Sequence, residues 1–309
     1  MLTQFLLIGK QVLILFILMS TGFIADKARL VSVRGTRQMS AILAYIVTPC
    51  VMLEAFSVPF DGSKAVGFFI AFALAFLTHG VGILISFLLV HDKSAARQKV
   101  LRFSVIFSNC GFMGIPLLKA VLGNTGVFYG SAYIAAMNIV MWTFGVWLYT
   151  GKTNKKTIAK AVLNPAVFGV FISLILYFCR IILPEILLVP VVSIAAMNTP
   201  LAMIVIGCYL SRANIFKALK DIKMYLCLAL RLIAVPLVML AIVKLLPVLG
   251  VNPDRAVGAS LIIVACCPAA GNTAILAGLF GGDERLGARL VAVCTLASAV
   301  TIPIIASLV

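Results

Sequence analysis

The sequence contains few charged residues and few side chains that carry out acid–base or metal chemistry. Only 11% of its 309 residues are charged, nine are Asp or Glu, and two are His. By contrast, 63% are apolar, and the mean hydropathy is +1.18. A soluble fold of this length still exposes roughly a quarter of its chain surface, so it could not bury this much hydrocarbon. The composition therefore excludes a soluble enzyme, a secreted disulfide scaffold and a disordered chain.

The eight cysteines lack the spacing of a metal site or a disulfide framework. All lie within apolar runs, none belongs to a Cys-x-x-Cys pair, and none has a histidine at metal-ligand spacing. We interpret them as small buried residues. No metal, no cofactor and no catalytic residue is expected, because the chain also has no His-Glu-x-x-His motif.

Apolar runs long enough to cross a membrane follow one another along the whole chain. Each is about twenty residues or longer, the length of a transmembrane helix, and the alternation of a barrel strand is absent. The sequence therefore predicts an all-α integral membrane fold of ten helices. The predicted spans are 5–25, 38–57, 65–90, 100–122, 126–149, 163–183, 187–210, 223–246, 256–280 and 286–308.

The basic residues indicate how the spans are oriented. The net charge is +16, but the bases form short clusters beside apolar runs, a pattern typical of a lipid bilayer contact and not of nucleic-acid binding. Of the 25 Lys and Arg residues, 18 lie in the odd-numbered loops and five in or beside the even-numbered ones. The positive-inside rule then places the odd loops in the cytoplasm and both termini outside, in a plasma membrane such as the bacterial inner membrane.

The two halves of the chain resemble each other. Thr48-Pro49 lies in the middle of span 2 and Thr199-Pro200 in the middle of span 7. Five spans per half is an odd number, so the halves would enter the membrane from opposite sides, as in many secondary transporters. We predict a first repeat at 1–150, a short basic linker at 151–162 and an inverted second repeat at 163–309.

Spans 4 and 9 concentrate helix-breaking residues at equivalent places in the two repeats. Glycine and proline interrupt a helix, and freed backbone groups in hydrocarbon are tolerated where they line a cavity. Helix N-termini that meet at such a break carry partial positive charge and can bind a carboxylate. The alternative is a kinked structural helix, but the coincidence of two breaks favours a transport site. The expected substrate-binding residues are Asn109, Cys110, Gly111, Pro268, Gly271 and Asn272.

The same segments resemble a known family. The stretch 108–118, SNCGFMGIPLL, is similar to the Asn-x-x-x-Met-Gly-Ile-Pro-Leu signature of the auxin efflux carrier family, and 267–272, CPAAGN, resembles its second-half counterpart. The resemblance implies ten helices in two inverted repeats, with spans 4 and 9 crossing at the substrate site. It also implies a scaffold domain of spans 1, 2, 6 and 7, a transport domain of spans 3–5 and 8–10, and an elevator-type movement.

By the same resemblance the substrates are malonate, malate and similar carboxylates, or auxin-like anions such as indole-3-acetate. Asn109 and Pro268 match the crossover positions, with Cys110 and Gly111 beside them. Ser108 stands where a proline is common, which bears on how sharply span 4 breaks. The absence of a long central loop is typical of a compact prokaryotic-type member, and a homodimer through the scaffold domain is a further partner hypothesis.

Placing an ionisable side chain inside a membrane span costs free energy, so such residues suggest a function. Arg231 in span 8 would either attract an anionic substrate or pair with a helix C-terminus. His79 in span 3 would be either a proton carrier or a hydrogen-bonded packing residue. Lys10 and Glu54 are expected to snorkel or pair at the outer face.

The leading functional hypothesis is a secondary active carrier of small organic anions. A channel or a sensor is the alternative, although a channel does not require an inverted repeat. An intramembrane enzyme would need a nucleophile–base pair, paired acids or a metal cluster, and His79 has no evident partner in the sequence.

Overall fold

The structure, a computed structural model, describes residues 2–152, 165–213, 215–218 and 220–308. In these residues the secondary structure is helical, and no strand is present apart from a single isolated bridge. Besides a single turn at Ile215–Ala218, the helices are α1 (Leu2–Lys27), α2 (Val33–Phe56), α3 (Gly62–Leu89), α4 (Ala95–Ile106), α5 (Cys110–Thr150), α6 (Pro165–Phe178), α7 (Glu185–Arg212), α8 (Ile222–Leu249), α9 (Arg255–Ala265), α10 (Asn272–Leu279) and α11 (Glu284–Ala306).

Seven helices in the described part of the chain are long and apolar enough to cross a membrane: α1, α2, α3, α5, α7, α8 and α11. The helices α6 and α9 are apolar but shorter. The all-helical prediction is confirmed for these residues, whereas the count of ten spans stays a prediction. Most of the predicted linker, from 153 onward, and the start of the sixth span lie outside the described residues.

The helix α5 is too long for a single straight crossing. Its 41 residues would extend about 60 Å, twice the hydrocarbon thickness of a membrane. Gly123 interrupts it with φ +63° and ψ −151°, a conformation that favours glycine. The break divides α5 into 110–122 and 124–150, which correspond to the end of the fourth predicted span and the whole of the fifth.

Prolines account for most of the irregular turns inside the long helices. Three widened, π-helical turns end two residues before a proline, at Pro49 in α2, Pro116 in α5 and Pro236 in α8. Proline cannot donate a backbone hydrogen bond and its ring crowds the preceding turn, so a π turn absorbs the missing bond. In α7 the irregularity is a single turn residue, Met197, three positions before Pro200.

The acidic residues lie at helix ends. Four of the nine cap helix N-termini, where a carboxylate satisfies free backbone N–H groups and interacts with the helix dipole. These are Asp61 on α3, Asp221 on α8, Asp254 on α9 and Asp283 on α11. Three more form ion pairs: Asp26 with Arg212, Glu54 with Lys119, and Asp92 with Arg97 and Lys223.

Several helix contacts position the site. The helix α1 lies along the second half of α7 and also packs against α11, and α2 packs against α5, α6 and α7. The α1–α7 contact brings backbones together, because a Cβ added at Gly22 would lie 2.1 Å from the Ile204 oxygen and one at Gly207 would lie 2.0 Å from the Met19 oxygen. The helix α5 packs against α3, α6 and α9, and α11 packs against α10 and α4.

Candidate functional site

Two helical rods are interrupted where the sequence concentrates Gly, Pro and Asn. The first break separates α4 from α5, and Phe107 there has extended backbone angles of −106° and 122°. The second break separates α9 from α10 and contains Pro268, which has no backbone N–H. Span 4 is therefore interrupted in the structure even though Ser108 stands at the position where proline is common.

The two breaks cross and bond to each other through their backbones. The Asn109 N–H donates to the Pro268 oxygen at 2.7 Å, and the Ala270 N–H donates to the Phe107 oxygen at 2.9 Å. Ser108 and Ala269 form the isolated antiparallel bridge. Backbone groups that the breaks would leave unpaired in an apolar interior are thus satisfied by the opposite break.

The two helices that leave the crossing, α5 and α10, have their N-termini at it. Both α5 and α10 start within a few residues of the bridge, so their N-termini carry partial positive charge at the site. The crossing combines two such ends without a carboxylate, because all nine acidic residues lie elsewhere. This arrangement suits a small anion better than a cation.

Two cavities meet at the crossing. The larger, which we call the vestibule, has a volume of about 550 Å³ and reaches Arg37, Arg212 and Glu284. These three residues lie at helix ends next to the loops predicted to be cytoplasmic. The smaller, which we call the central cavity, has a volume of about 360 Å³ and lies between the crossing and α2. Both are lined by Asn109, Phe112, Tyr209, Gly271 and Ile275.

Four of the six predicted binding residues line these cavities. Asn109 and Gly271 line both, and Gly111 and Asn272 line the central cavity. The other two lie behind the site: the Cys110 thiol contacts the Met137 sulfur at 3.3 Å, and Pro268 is buried and contributes its carbonyl to the bridge.

The central cavity is lined by polar groups that could bond a ligand. The Trp142 indole N–H is enclosed and has no hydrogen-bond partner among the described residues. The Ser108 hydroxyl is fully buried and lies near the Cys110 thiol and the Tyr133 hydroxyl. Asn138 belongs to the same lining, and its side-chain amide donates to the Ile134 oxygen at 2.8 Å. Buried polar groups normally have partners, so this cluster indicates a site for a polar molecule.

Sequence reasoning missed several lining residues. On α2 the residues Arg37, Ala41, Ala44 and Thr48 lie three or four positions apart and form one face toward the cavities. This helical spacing predicts that the four residues share one face of α2, but it does not predict which part of the protein that face contacts. Tyr209 of α7, which shares a hydrogen bond of 3.2 Å with Ser40 of α2, and Trp142 of α5 reach the site only through the tertiary packing.

Arg231 is buried beside the crossing and bonds helix ends. Its guanidinium donates to the Val105 oxygen at 3.1 Å and the Ile106 oxygen at 3.4 Å, at the end of α4, and also to the Ala265 oxygen at the end of α9. Arg231 is 1% exposed and lines neither cavity. Of the two roles considered from the sequence, these contacts match the pairing with helix C-termini.

His79 is buried and lines neither cavity. Its Nδ1 lies 2.6 Å from the Ala75 oxygen of its own helix, and its Nε2 has no partner among the described residues. Its ring lies between Phe107 and Tyr133, with centroid distances of 6.0 and 5.0 Å. These are the contacts of a hydrogen-bonded packing residue, one of the two roles that the sequence suggests for His79.

A charged cluster outside the spans fixes the start of α8 to the start of α4. Arg97 bonds Asp221 at 2.5 Å and Asp92 at 3.3 Å, and Lys223 bonds Asp92 at 3.1 Å. The hydrogen bond with Asp221 raises the pKa of Arg97. Burial alone would raise the pKa of Asp92, but hydrogen bonds from the Ser94 N–H, Lys223 and Arg97 outweigh it and lower that pKa. The cluster holds α8, and with it Arg231, in register with α4.

The described residues contain no metal-binding cluster. Within the described ranges, no group of three or more His, Cys, Asp and Glu side chains is placed to hold a metal ion. Glu54, considered above with Lys10, pairs with Lys119, which also donates to the Asn124 side chain at 2.6 Å.

Comparison with known families agrees with this geometry. A family described as "Membrane transport protein" matches the chain in two stretches, residues 7–158 and 149–306. The comparison with curated proteins finds no match. The family consists of membrane transporters and not of enzymes, so the protein is an integral membrane protein that acts in transport. Because the matched stretches cover nearly the whole chain, the protein belongs to this membrane transport family, the auxin efflux carrier family.

Proposed function

We propose that the protein is a secondary active carrier that binds a small organic anion at the helix crossing. The observation that carries this proposal is the meeting of two helix N-termini beside a cavity lined by the buried Ser108 hydroxyl and the unpaired Trp142 indole N–H. Partial positive charge and a free N–H donor beside one cavity favour a carboxylate. The side chains of Asn109 and Asn272 supply further donors and acceptors.

The surroundings of the site support a negative substrate. Among the residues that line the central cavity none is acidic. At the mouth of the vestibule Arg37 is the cation without an acidic partner among the described residues, since Arg212 pairs with Asp26, and Glu284 is the one carboxylate of the lining. A cavity of about 360 Å³ lies at the small end of the range for ligand pockets, so we propose a mono- or dicarboxylate such as malonate, malate or an auxin-like anion.

The ten-span, two-repeat layout is part of the same proposal. It is supported by the equivalent positions of the two breaks and by the helix irregularities that precede Pro49 and Pro200. On this layout α4 with 110–122 forms the fourth span, and α9 with α10 forms the ninth. The repeats are 1–150 and 163–309, joined at 151–162, with both termini outside the plasma membrane.

An elevator-type movement is the mechanism we propose for alternating access. The group of α1, α2, α6 and α7 would be the scaffold, and the remaining helices would move against it with the substrate. Support comes from the location of the cavities, which lie between the crossing and the helices α2 and α7. A homodimer through the scaffold group is proposed as well, and its test is the mass of the protein in detergent or nanodiscs.

The proposal is tested first by binding and then by exchange. Purified protein is heated with malonate, malate or indole-3-acetate, and with malonamide as an uncharged control. A ligand that binds the folded state raises the melting temperature, so at least one carboxylate should do so while malonamide should not. In proteoliposomes the same carboxylate on the far side should accelerate uptake of its labelled form. Steady single-channel current without such counterflow would indicate a channel and contradict the carrier.

A further inference from the structure

The crossing contains four helix ends whose charges nearly cancel. The helices α5 and α10 begin there, each with partial positive charge of about half a unit, while α4 and α9 end there, each with an equal partial negative charge. Without another charge, the two positive ends would act on a substrate together with two negative ends close by. The site would then have little net preference for an anion.

Arg231 bonds both of the negative ends. Its guanidinium donates to carbonyl oxygens at the last residues of α4 and to the Ala265 oxygen at the end of α9. None of the ion pairs among the described residues includes it, and it is 1% exposed. A full positive charge in this position offsets about one unit of negative charge from the two C-termini. Such a buried charge is costly, which favours a role beyond packing.

We propose that Arg231 is the residue that makes the crossing selective for anions. It acts through the helix ends and not by contact, because it lines neither cavity. By neutralising the C-termini of α4 and α9, it leaves the N-termini of α5 and α10 as the uncompensated charge that faces the substrate. Arg231 is thus a positioning residue, which acts on the substrate through the charge of the helix ends. This inference rests on the proposed function of the crossing as the anion site.

The experiment measures the potential at the site without any substrate. Ile275 lines both cavities and is 46% exposed, so Ile275→Cys provides a reporter thiol. Cys50→Ser and Cys179→Ser remove the two native thiols that are not buried. The rate of modification is measured with an anionic methanethiosulfonate, the sulfonatoethyl reagent, and with a cationic one, the trimethylammonioethyl reagent. The ratio of the two rates reports the local electrostatic potential.

We expect Arg231→Gln to lower the ratio of anionic to cationic modification by about threefold or more, since the two reagents respond to the lost charge in opposite directions. Arg231→Lys keeps the charge and should keep the ratio. Lys244→Gln, which removes an exposed charge from the same helix α8, is the matched control and should also keep it. An unchanged ratio in folded Arg231→Gln protein would overturn the proposal.

A second variant covers the case in which Arg231→Gln does not fold. Cys266 follows Ala265, whose oxygen accepts from Arg231, so Cys266→Asp neutralises the guanidinium without removing it. It should lower the ratio as Arg231→Gln does, while Cys266→Asn should not, and equal ratios for these two would contradict the proposal. Because no carboxylate is used, a failed counterflow assay with a lowered ratio would count against the carrier and not against Arg231.

Discussion

Glycines at the α1–α7 contact and glycines at the crossing have opposite surroundings. At Gly22 and Gly207 an added Cβ would meet backbone atoms of the facing helix at 2.1 and 2.0 Å. At Gly111 and Gly271 it would meet nothing within 4 Å. In the first region glycine removes volume so that two helices can touch. In the second it leaves volume open on the lining of the cavities, where a substrate can approach the backbone.

The comparison separates positions that hold the fold together from positions that serve the site. Small residues in both regions look alike in the sequence, and only the neighbours distinguish them. A substitution at the α1–α7 contact should lower stability, whereas one at the crossing should lower transport in a protein that still folds. Three variants test this difference, in order of decreasing expected effect.

Gly22→Ala should have the largest effect, because the new methyl group would collide with the backbone at Ile204 and force the helices apart. We expect a loss of about 3 kcal/mol or more of stability, at or above the upper range for overpacking. The measurement is thermal unfolding in detergent, followed by size-exclusion chromatography. Gly9→Ala on the same helix is the control, since its nearest neighbour lies at 4.0 Å. Equal melting temperatures for the two variants would contradict the close contact.

Asn109→Ala should lower uptake about tenfold or more while leaving the melting temperature near that of the unmodified protein. The side chain lines both cavities and is 7% exposed, and its backbone N–H, which the substitution retains, makes the bond to Pro268. Losing polar contacts to a charged ligand commonly costs about 1.5–3 kcal/mol. Asn252→Ala, in the exposed connection after α8, is the matched control. Unchanged kinetics in the Asn109 variant would remove this residue from the site.

Gly271→Ala should have the smallest effect. Its φ of −56° is helical and the space around it is open, so the backbone accepts alanine without strain. The methyl group would enter the lining of both cavities and should weaken substrate binding about twofold to fivefold, with no loss of stability. Gly62→Ala, which also meets nothing within 4 Å but lies at the start of α3 away from the site, should leave binding unchanged. If Gly271→Ala protein were destabilised but bound substrate normally, Gly271 would belong with the positions that hold the fold together and not with those that serve the site.

The positions of the breaks could be predicted from the sequence because they depend on local chemistry. Glycine, proline and asparagine near 109 and 268 disfavour a continuous helix whatever surrounds them. The all-helical class could also be predicted, because it follows from the apolar composition and from the length of the apolar runs. Ser108 was the exception, since a break at that residue needs the hydrogen bonds that the opposite segment supplies at Asn109 and Phe107.

Contacts between distant parts of the chain could not be predicted in this way. Arg231 bonds Val105, 126 positions before it, and Ala265, 34 positions after it. Whether Arg231 contacts a substrate or helix ends therefore depends on how the two breaks cross, which the local sequence does not determine. Tyr209 and Trp142 look like ordinary aromatic residues of apolar helices until the packing brings them to the cavities. Cys110 shows the opposite case. Its place in the sequence motif predicts a binding residue at the crossing, but its thiol contacts the Met137 sulfur.

The pair of peptide hydrogen bonds between 107–109 and 268–270 limits where a passage can open. Pulling the two segments apart would strand donors and acceptors of both in a water-poor interior, at a cost of several kcal/mol. The contact between these two segments is therefore unsuited to serve as a hinge. On the proposed mechanism, a bound substrate would instead leave past Tyr209 and the α2 face, which line the cavities.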